Sequence, residues 1–304
     1  MTLPRYKFEI LKYLEKNGAG NYTHRQLSDS LTISNTEIMR DIDEMVQEGL
    51  VVHKGDYLSI TANGLNELEP YRVKRAVILA AGFGSRMMPA TSDRPKPMVT
   101  VKGKRIIDTL LDSLIEVGIK DITLVRGYQR EKFDELLNKY PFIKFIDNVD
   151  YDKFNNISSA VLLKDNFIGG SYLCEADLYI TNSDVICKYQ YTSNILGSWS
   201  METDDWSFKM TDSGYIRDYQ KGNTNCWNYY GISYWTADDC DKLNRDWANY
   251  FAMAGGKDIF WEQVPLQLKK DNYQVEIRQC QKSDIMEIDN YYELAQLDSS
   301  YKTK

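Results

Sequence analysis

The chain has 304 residues, 43% hydrophobic and 27% charged, with a formal net charge of −7, which is the profile of an ordinary globular protein long enough for two domains. No apolar run approaches membrane-spanning length and the first residues, MTLPRYKFEI, lack the layout of a signal peptide, so a cytoplasmic location is expected. Five cysteines without a C-x-x-C pair exclude a zinc or disulfide framework, and both histidines, His24 and His53, precede residue 75, which excludes Ser-His or Cys-His catalysis beyond it.

Residues 1–70 read as a separate module. Phe8, Leu11 and Leu14 fall near helical spacing over 5–16, and Asn17-Gly18 supplies a stop. Thr23 caps a second helix to residue 31, with Leu27 and Leu31 inward. After a turn at 32–34, Ile38, Ile42, Met45 and Val46 form the stripe of a third helix over 35–48, closed by Gly49. Residues 50–53 and 57–60 flank Lys54-Gly55-Asp56 as a hairpin, and 63–68 suits a last helix. Three helices followed by a hairpin resemble a winged helix-turn-helix domain. Its charge disfavours DNA: residues 1–70 hold seven Lys or Arg against eleven Asp or Glu, and the third helix sets Arg40 against Glu37, Asp41, Asp43, Glu44 and Glu48. A protein-binding or regulatory role is preferred, and His53 reads as a surface residue.

A short basic linker, 69–75, leads into the apolar run Ala76, Val77, Ile78, Leu79, a buried parallel strand. The chain then turns abruptly small. Leu79, Ala80, Ala81, Gly82, Gly84 and Ser85 let a nucleotide lie against backbone N–H groups, which bind phosphate without a side chain. Arg86 and Lys96 follow, in a loop stiffened by Pro89, Pro95 and Pro97. A dinucleotide fingerprint is excluded because Met87 occupies its third glycine position, and no Walker A string occurs.

Beyond this loop strands and helices alternate. Helices are expected at 106–117, 131–139 and from 157 onward, with strands at 121–125, 143–146 and within 171–180. This rhythm predicts an α/β fold, a mainly parallel Rossmann-like sheet over residues 71–304 that binds ligands at its strands' carboxyl ends. From 205 to 235 short aromatic-rich segments read as mixed or antiparallel strands, then helices at 238–253 and 258–270, strands at 275–280 and 285–288, and a helix over 290–297. Asp177 and Asp289, each at a strand end, are candidate Mg²⁺ ligands, since Mg²⁺ takes few carboxylates plus substrate oxygens. On composition alone the ordinary readings prevail: Asp177 a solvated strand-end residue with Asp184 as its rival, and Asp289 a helix N-cap.

The string L-A-A-G-x-G-S-R, then P-x-T, then P-K-P-M, over residues 79–98, is similar to the signature of nucleotidyltransferases that join a nucleoside triphosphate to a phosphorylated small molecule. Among these the chain resembles the bacterial CTP:phosphocholine cytidylyltransferases along most of residues 74–297. Glu175-Ala176-Asp177 matches the family's D-A-D string, with Glu in place of the first Asp, and Glu287-Ile288-Asp289 matches its E-I-D string. Gly127-Tyr128 and Asn155-Asn156-Ile157-Ser158-Ser159 match two further stretches. The resemblance implies Lys96 and Arg86 on the triphosphate, Asp177 and Asp289 on Mg²⁺, backbone from Ala80 to Gly84 against the nucleotide, and Asn156 and Ser158 near cytosine or ribose.

Trp206 and Phe260-Trp261-Glu262 resemble the aromatics and acid that the family sets around choline, and Trp227 and Tyr230 lie nearby in sequence. Aromatic faces with an acid suit a quaternary ammonium, although a single Trp or Tyr in a strand is more often core. The expected reaction is therefore Mg²⁺-dependent formation of CDP-choline and pyrophosphate from CTP and phosphocholine. Transfer to 2-aminoethylphosphonate, phosphoethanolamine or a sugar 1-phosphate stands as the alternative, as does a winged-helix regulator with a nucleotide-sensing domain. Oligomeric state is not legible.

Overall fold

The computed structural model describes residues 2–17, 23–31, 34–55 and 57–302. The chain packs as two units, Met1–Arg72 with Tyr189–Tyr191, and Val73–Lys188 with Thr192–Lys304. The expected stop residue Gly18, the turn residues Thr32 and Ile33, and Asp56 of the hairpin lie outside the described residues. Among the described residues no helix is long and apolar enough to cross a membrane.

The first unit runs α1 (Arg5–Lys16), α2 (His24–Leu31), α3 (Asn35–Gln47), the antiparallel pair β1 (Val51–Lys54) and β2 (Tyr57–Ile60), then α4 (Ala62–Leu68). Phe8, Ile10, Leu11 and Leu14 of α1 meet Leu27, Ile38, Ile42 and Met45 in one core. Ser34 starts α3 by accepting the Glu37 N–H, and its hydroxyl donates to the Glu37 carboxylate at 2.6 Å, a reciprocal cap. Lys7 is buried and donates to Glu44 at 2.7 Å and Glu48 at 2.6 Å, so one acid of α3 and the acid that ends it are engaged inside the unit. Tyr71 and Tyr191 stack at 5.3 Å, and each ring also meets Phe8. That contribution from Tyr191, far along the chain, has no local sequence signal. His53 is exposed on β1.

The second unit begins with β3 (Arg75–Ala80), followed by the short pair β4 (Thr100–Val101) and β5 (Lys104–Arg105), α5 (Ile106–Glu116), β6 (Asp121–Arg126), β7 (Lys144–Asp147) and α6 (Ile157–Val161). It continues with β8 (Ser171–Glu175), β9 (Leu178–Ile180), β10 (Asn194–Met210), β11 (Ile216–Trp235), α7 (Ala237–Ala252), β12 (Glu276–Gln279), β13 (Ile285–Glu287) and α8 (Tyr291–Leu297). Seven strands form the central sheet in the order β12-β10-β11-β8-β3-β6-β7. The β3, β6, β7 and β8 pairings are parallel, β11 is antiparallel to both β8 and β10, and β12 returns parallel to β10. Separately, β9 pairs antiparallel with β13.

The run that reads as a buried strand is buried on both faces. Ala76, Ile78 and Ala80 face a core that includes Ile107, Leu110, Leu111 and Leu114 of α5. Val77 and Leu79 face the opposite core with Ile157, Leu243, Trp247 and Trp261.

Three expectations are corrected. Residues 131–139 do not make an α-helix but a 3₁₀ run, Arg130–Asn138, that buries Phe133 and Leu136. The expected helix 258–270 is reduced to a π turn, Val264–Leu268, and a 3₁₀ turn, Lys270–Asn272, because Pro265 lacks the N–H that an α-helix would use. The strand expected within 171–180 is present as β8, and a second, β9, follows Ala176-Asp177 in a different sheet. The aromatic strands begin earlier than expected, with β10 starting at Asn194.

Leu110 has 0% exposure in the larger core. Leu110→Ala should destabilise the second unit by about 2 to 5 kcal/mol in urea unfolding, and a loss below about 1 kcal/mol would contradict this packing.

Candidate active site

A cavity of about 490 Å³ opens at the carboxyl ends of the parallel strands, lined by residues 79–86 after β3, Asn148 after β7 and Glu175, Ala176 and Asp177 after β8. The loop after β3 depends on close backbone approach. Gly84 is left-handed at φ +61°, and a Cβ there would lie 2.7 Å from the Lys96 Cβ, so only glycine lets the lysine segment pass this near. Thr91 Oγ1 closes the loop by donating to the Gly84 carbonyl at 2.9 Å.

Lys96 is the buried cation of the cavity. Its Nζ donates to Asp177 at 3.0 Å and to Asp289 at 3.4 Å, with 9% of the side chain exposed. Burial would lower the pKa of this ammonium, but attraction and hydrogen bonding to Asp177, then the charges of Asp289 and Glu287, outweigh it and the net shift is upward. Arg86, 70% exposed, donates to both carboxylate oxygens of Asp289, at 3.0 and 3.4 Å.

Asp177, Glu287 and Asp289 each bring a carboxylate oxygen within 4.8 Å of the others. The antiparallel register of Glu287 opposite Leu178 is what carries β13 to this point. Asp177 Oδ1 is buried without a hydrogen-bond partner, and burial followed by the charges of Asp177, Asp289 and Asp205 raises the Glu287 pKa to about 8. Three crowded oxygen donors with an unmatched negative excess fit a hard divalent cation such as Mg²⁺. Asp289 is not the cap of α8: Asn290 accepts the Glu293 N–H, leaving the Asp289 carboxylate for the cavity. Asp184 lies in a separate 3₁₀ turn and does not line the cavity.

A second group of cavity residues is acidic and aromatic. Glu175, Asp205, Trp206, Tyr229, Phe260 and Glu262 line it. Trp206 stacks on Tyr219 at 4.8 Å and meets Phe260 edge-on at 5.9 Å. Glu175 fits only because position 231 is glycine, where a Cβ would sit 2.4 Å from its Oε2. Burial first, then the charges of Glu262, Asp177 and Glu287, raise the Glu175 pKa well above the usual carboxylate value. Burial also raises Glu262 to about 7, against hydrogen bonds from Tyr219 and Asn156 that lower it. Glu262 Oε2 has no hydrogen-bond partner.

Of the residues singled out in the sequence, Leu79, Ala80, Ala81, Gly82, Gly84, Ser85, Arg86, Lys96, Asn156, Ser158, Asp177, Asp289, Trp206, Phe260 and Glu262 line this one cavity. Trp227, Tyr230 and Trp261 do not. Trp227 turns to Trp199 on the β10–β11 ladder, at 5.6 Å. Tyr230 is buried in the main core with its hydroxyl against Ser198 at 3.1 Å. Trp261 is fully buried between Trp235 and Trp247, and its ring touches the site as a donor, Nε1 to Glu175 at 3.4 Å. Asn156 accepts the Trp261 N–H at 2.8 Å, and Ser158 Oγ accepts from Asn148 at 2.9 Å.

Glu175, Asp205, Tyr229 and Glu287 were not singled out as site residues. Strand alternation signals two of them: Glu287 shares a face with Asp289, and Tyr229 faces away from Tyr230. A further aromatic group, Phe83 against Tyr128 at 5.5 Å and Tyr151 at 5.2 Å, stands over the loop after β3.

A sheet with this loop, these cations and these carboxylates defines a nucleotidyltransferase, and the family model for nucleotidyl transferases matches residues 75–204. The 2-aminoethylphosphonate cytidylyltransferase of Lancefieldella rimae is 33% identical over 228 residues, 74% of this chain and 92% of that protein. The choline-phosphate cytidylyltransferase of Streptococcus pneumoniae is 28% identical over 235 residues, 76% of this chain and 99% of that protein. The solved structure of the CTP:phosphocholine cytidylyltransferase from Streptococcus pneumoniae superposes with a TM-score of 0.68 at 27% identity, covering 76% of this chain and all of that one. The chain belongs to the nucleotidyltransferase family and, within it, to the cytidylyltransferases.

Two outcomes follow from the geometry. Asp177→Asn should weaken Mg²⁺ binding at least about tenfold by calorimetry, with an unchanged far-UV spectrum, and undiminished binding would remove Asp177 from the cation site. Because Glu262 holds its proton more tightly when folded, its contribution to stability is full below the usual value of 4.5 and is lost as pH rises through about 7. Glu262→Gln should therefore flatten the fall in urea midpoint over that window, and an unchanged slope would contradict the burial of this acid.

Proposed function

We propose that the enzyme transfers a cytidylyl group from CTP, with Mg²⁺, to the phosphate or phosphonate of a small acceptor ending in a cationic amine, and releases pyrophosphate. The observation that carries this reading is that a lysine–arginine–carboxylate group and an acid-and-aromatic group share one cavity. Lys96 and Arg86 would exchange their aspartate partners for triphosphate oxygens, and backbone N–H groups of residues 80–84 would lie along the nucleotide. Asp177, Glu287 and Asp289 would hold Mg²⁺, which offsets triphosphate charge as the bond to the α-phosphorus changes. The acceptor oxygen would attack that phosphorus in line, so no protein nucleophile is required.

Glu175 and Glu262 would draw the acceptor's cation inward, with Trp206, Phe260 and Tyr229 as its walls. Phosphocholine suits the aromatic faces. The second reading, 2-aminoethylphosphonate or phosphoethanolamine, is favoured by the second buried acid beside Glu262. The first 70 residues are proposed as a winged-helix module serving protein contact or regulation rather than DNA, with residues 71–304 as the catalytic domain.

The test is pyrophosphate release from the full chain with Mg²⁺ and CTP, UTP, ATP or GTP, offering phosphocholine, phosphoethanolamine, 2-aminoethylphosphonate and glucose 1-phosphate. Release with CTP and a cationic acceptor is expected, and release with glucose 1-phosphate alone would overturn the assignment. Lys96→Ala should lower kcat by about 100-fold or more. Near-normal turnover would remove the lysine from the triphosphate site.

A further inference from the structure

Asn155 and Asn156 both line the cavity, and the resemblance drawn from the sequence puts Asn156 near cytosine or ribose. Their amides are engaged elsewhere. Asn156 is the N-cap residue of α6 yet makes no side-chain cap, and its Oδ1 instead accepts the Trp261 N–H at 2.8 Å. That partner fixes which way the amide faces, because a backbone N–H needs the oxygen. The NH₂ is left toward the Glu262 carboxylate, whose charged form it favours. Asn155 works on the same segment a few residues earlier. Its backbone N–H donates to the Lys257 carbonyl at 2.9 Å and its Nδ2 to the Asp258 carbonyl at 3.0 Å, while its Oδ1 accepts the Asn156 N–H at 2.7 Å.

The segment held by these bonds has no regular structure of its own. Between α7 and the π turn at Val264 the chain forms neither helix nor strand, yet it brings Phe260 and Glu262 to the cavity. Glu262 is 3% exposed, so its place is set by neighbouring groups rather than by water. Tyr219 supplies one contact, at 3.3 Å, and the asparagine pair supplies the others from 103 positions away along the chain. The serines that follow have a different partner: the Ser158 and Ser159 hydroxyls accept from Asn148, after β7, at 2.9 and 3.0 Å. The stretch Asn155-Asn156-Ile157-Ser158-Ser159 is thus divided, with its asparagines joined to residues 257–262 and its serines to the end of β7.

We infer that Asn155 and Asn156 are positioning residues for the acceptor, stitching the loop before α6 to residues 257–262 so that Glu262 and Phe260 stand where the acceptor meets them, and that Asn156 does not read the base. This rests on the cytidylyltransferase reading above, in which Glu262 and Phe260 face the acceptor, and adds what holds them there. For the Asn156 oxygen to reach cytosine or ribose it would have to release the N–H of Trp261, a residue with 0% exposure, where no water replaces the lost acceptor.

The test measures kcat and KM of the full chain with Mg²⁺ for CTP and, separately, for phosphocholine and 2-aminoethylphosphonate, together with the preference for CTP over UTP. Asn156→Asp keeps an oxygen for the Trp261 N–H and sets a negative charge where the NH₂ faced Glu262. In it the acceptor KM should rise about tenfold or more, while the KM for CTP stays within about twofold and the preference for CTP holds. Asn155→Ala loses the bond to Asp258 and leaves Asn156 in place, so it should move the acceptor KM in the same direction by a smaller factor, and it carries the test if Asn156→Asp does not fold. A raised KM for CTP or a lost preference over UTP, with the acceptor KM unchanged, would put Asn156 on the nucleotide and overturn the inference. Equal losses for both substrates, or a loss in kcat alone, would reduce the pair to a general brace and overturn it as well. In either case cytidylyl transfer to a cationic acceptor stands, whereas wild-type turnover confined to glucose 1-phosphate removes that reading and this inference together.

Discussion

A lysine withdrawn from water has to be matched by negative charge, and this molecule's catalytic unit is arranged around one such match. Lys96 stays charged with 9% of its side chain exposed because Asp177 and Asp289 lie 3.0 and 3.4 Å away. The desolvation penalty would otherwise neutralise it. Meeting that demand fixes the ends of β8 and β13 relative to the loop after β3, and it requires glycine at position 84, where a side chain would collide with the lysine itself. The same carboxylates that stabilise the cation are too many for it. Glu287 completes a trio with more negative charge than Lys96 and Arg86 offset locally, which is the condition for admitting a divalent cation.

The second group of cavity residues uses the opposite imbalance. Glu175 and Glu262 are buried with no Lys or Arg among the cavity residues beside them, and their raised pKa values record the strain of that arrangement. Protein groups supply part of the compensation: Trp261 donates to Glu175 and Tyr219 to Glu262. The remainder is left to a ligand. In the proposed reading, a cationic acceptor would offset that charge imbalance. Specificity would then come from what the site lacks without its ligand, since a ligand without that charge leaves the desolvation of the two acids uncompensated.

Much of this was legible in the sequence, because the loop after β3 and its cations are written locally. Small residues after an apolar run, two cations and three prolines within residues 76–98 describe a strand, a ligand loop and its charges without reference to anything distant. The parallel sheet was legible for the same reason, since alternating apolar segments report their own burial. Long-range register was not. Glu287 reaches Asp177 through the β9–β13 pairing, which no short-range pattern announces. The aromatic wall was misread at Trp227, Tyr230 and Trp261 because composition shows that a strand is rich in rings but not which face each ring takes after the irregular β10–β11 pairing. In the first unit the charge count was correct, yet it could not show that Glu44 and Glu48 are held by Lys7, nor that Tyr191 joins the core.

The central claim is that one cavity binds a triphosphate at its lysine end and an amine at its glutamate end. A crystal structure of the full chain with the CDP-aminoethyl product tests it most directly. The account predicts the diphosphate beside Lys96 and Arg86, and the amine beside Glu262, Trp206 and Phe260. A product bound in the reverse sense, with cytosine between Glu175 and Glu262 and the amine directed to solvent, would contradict it.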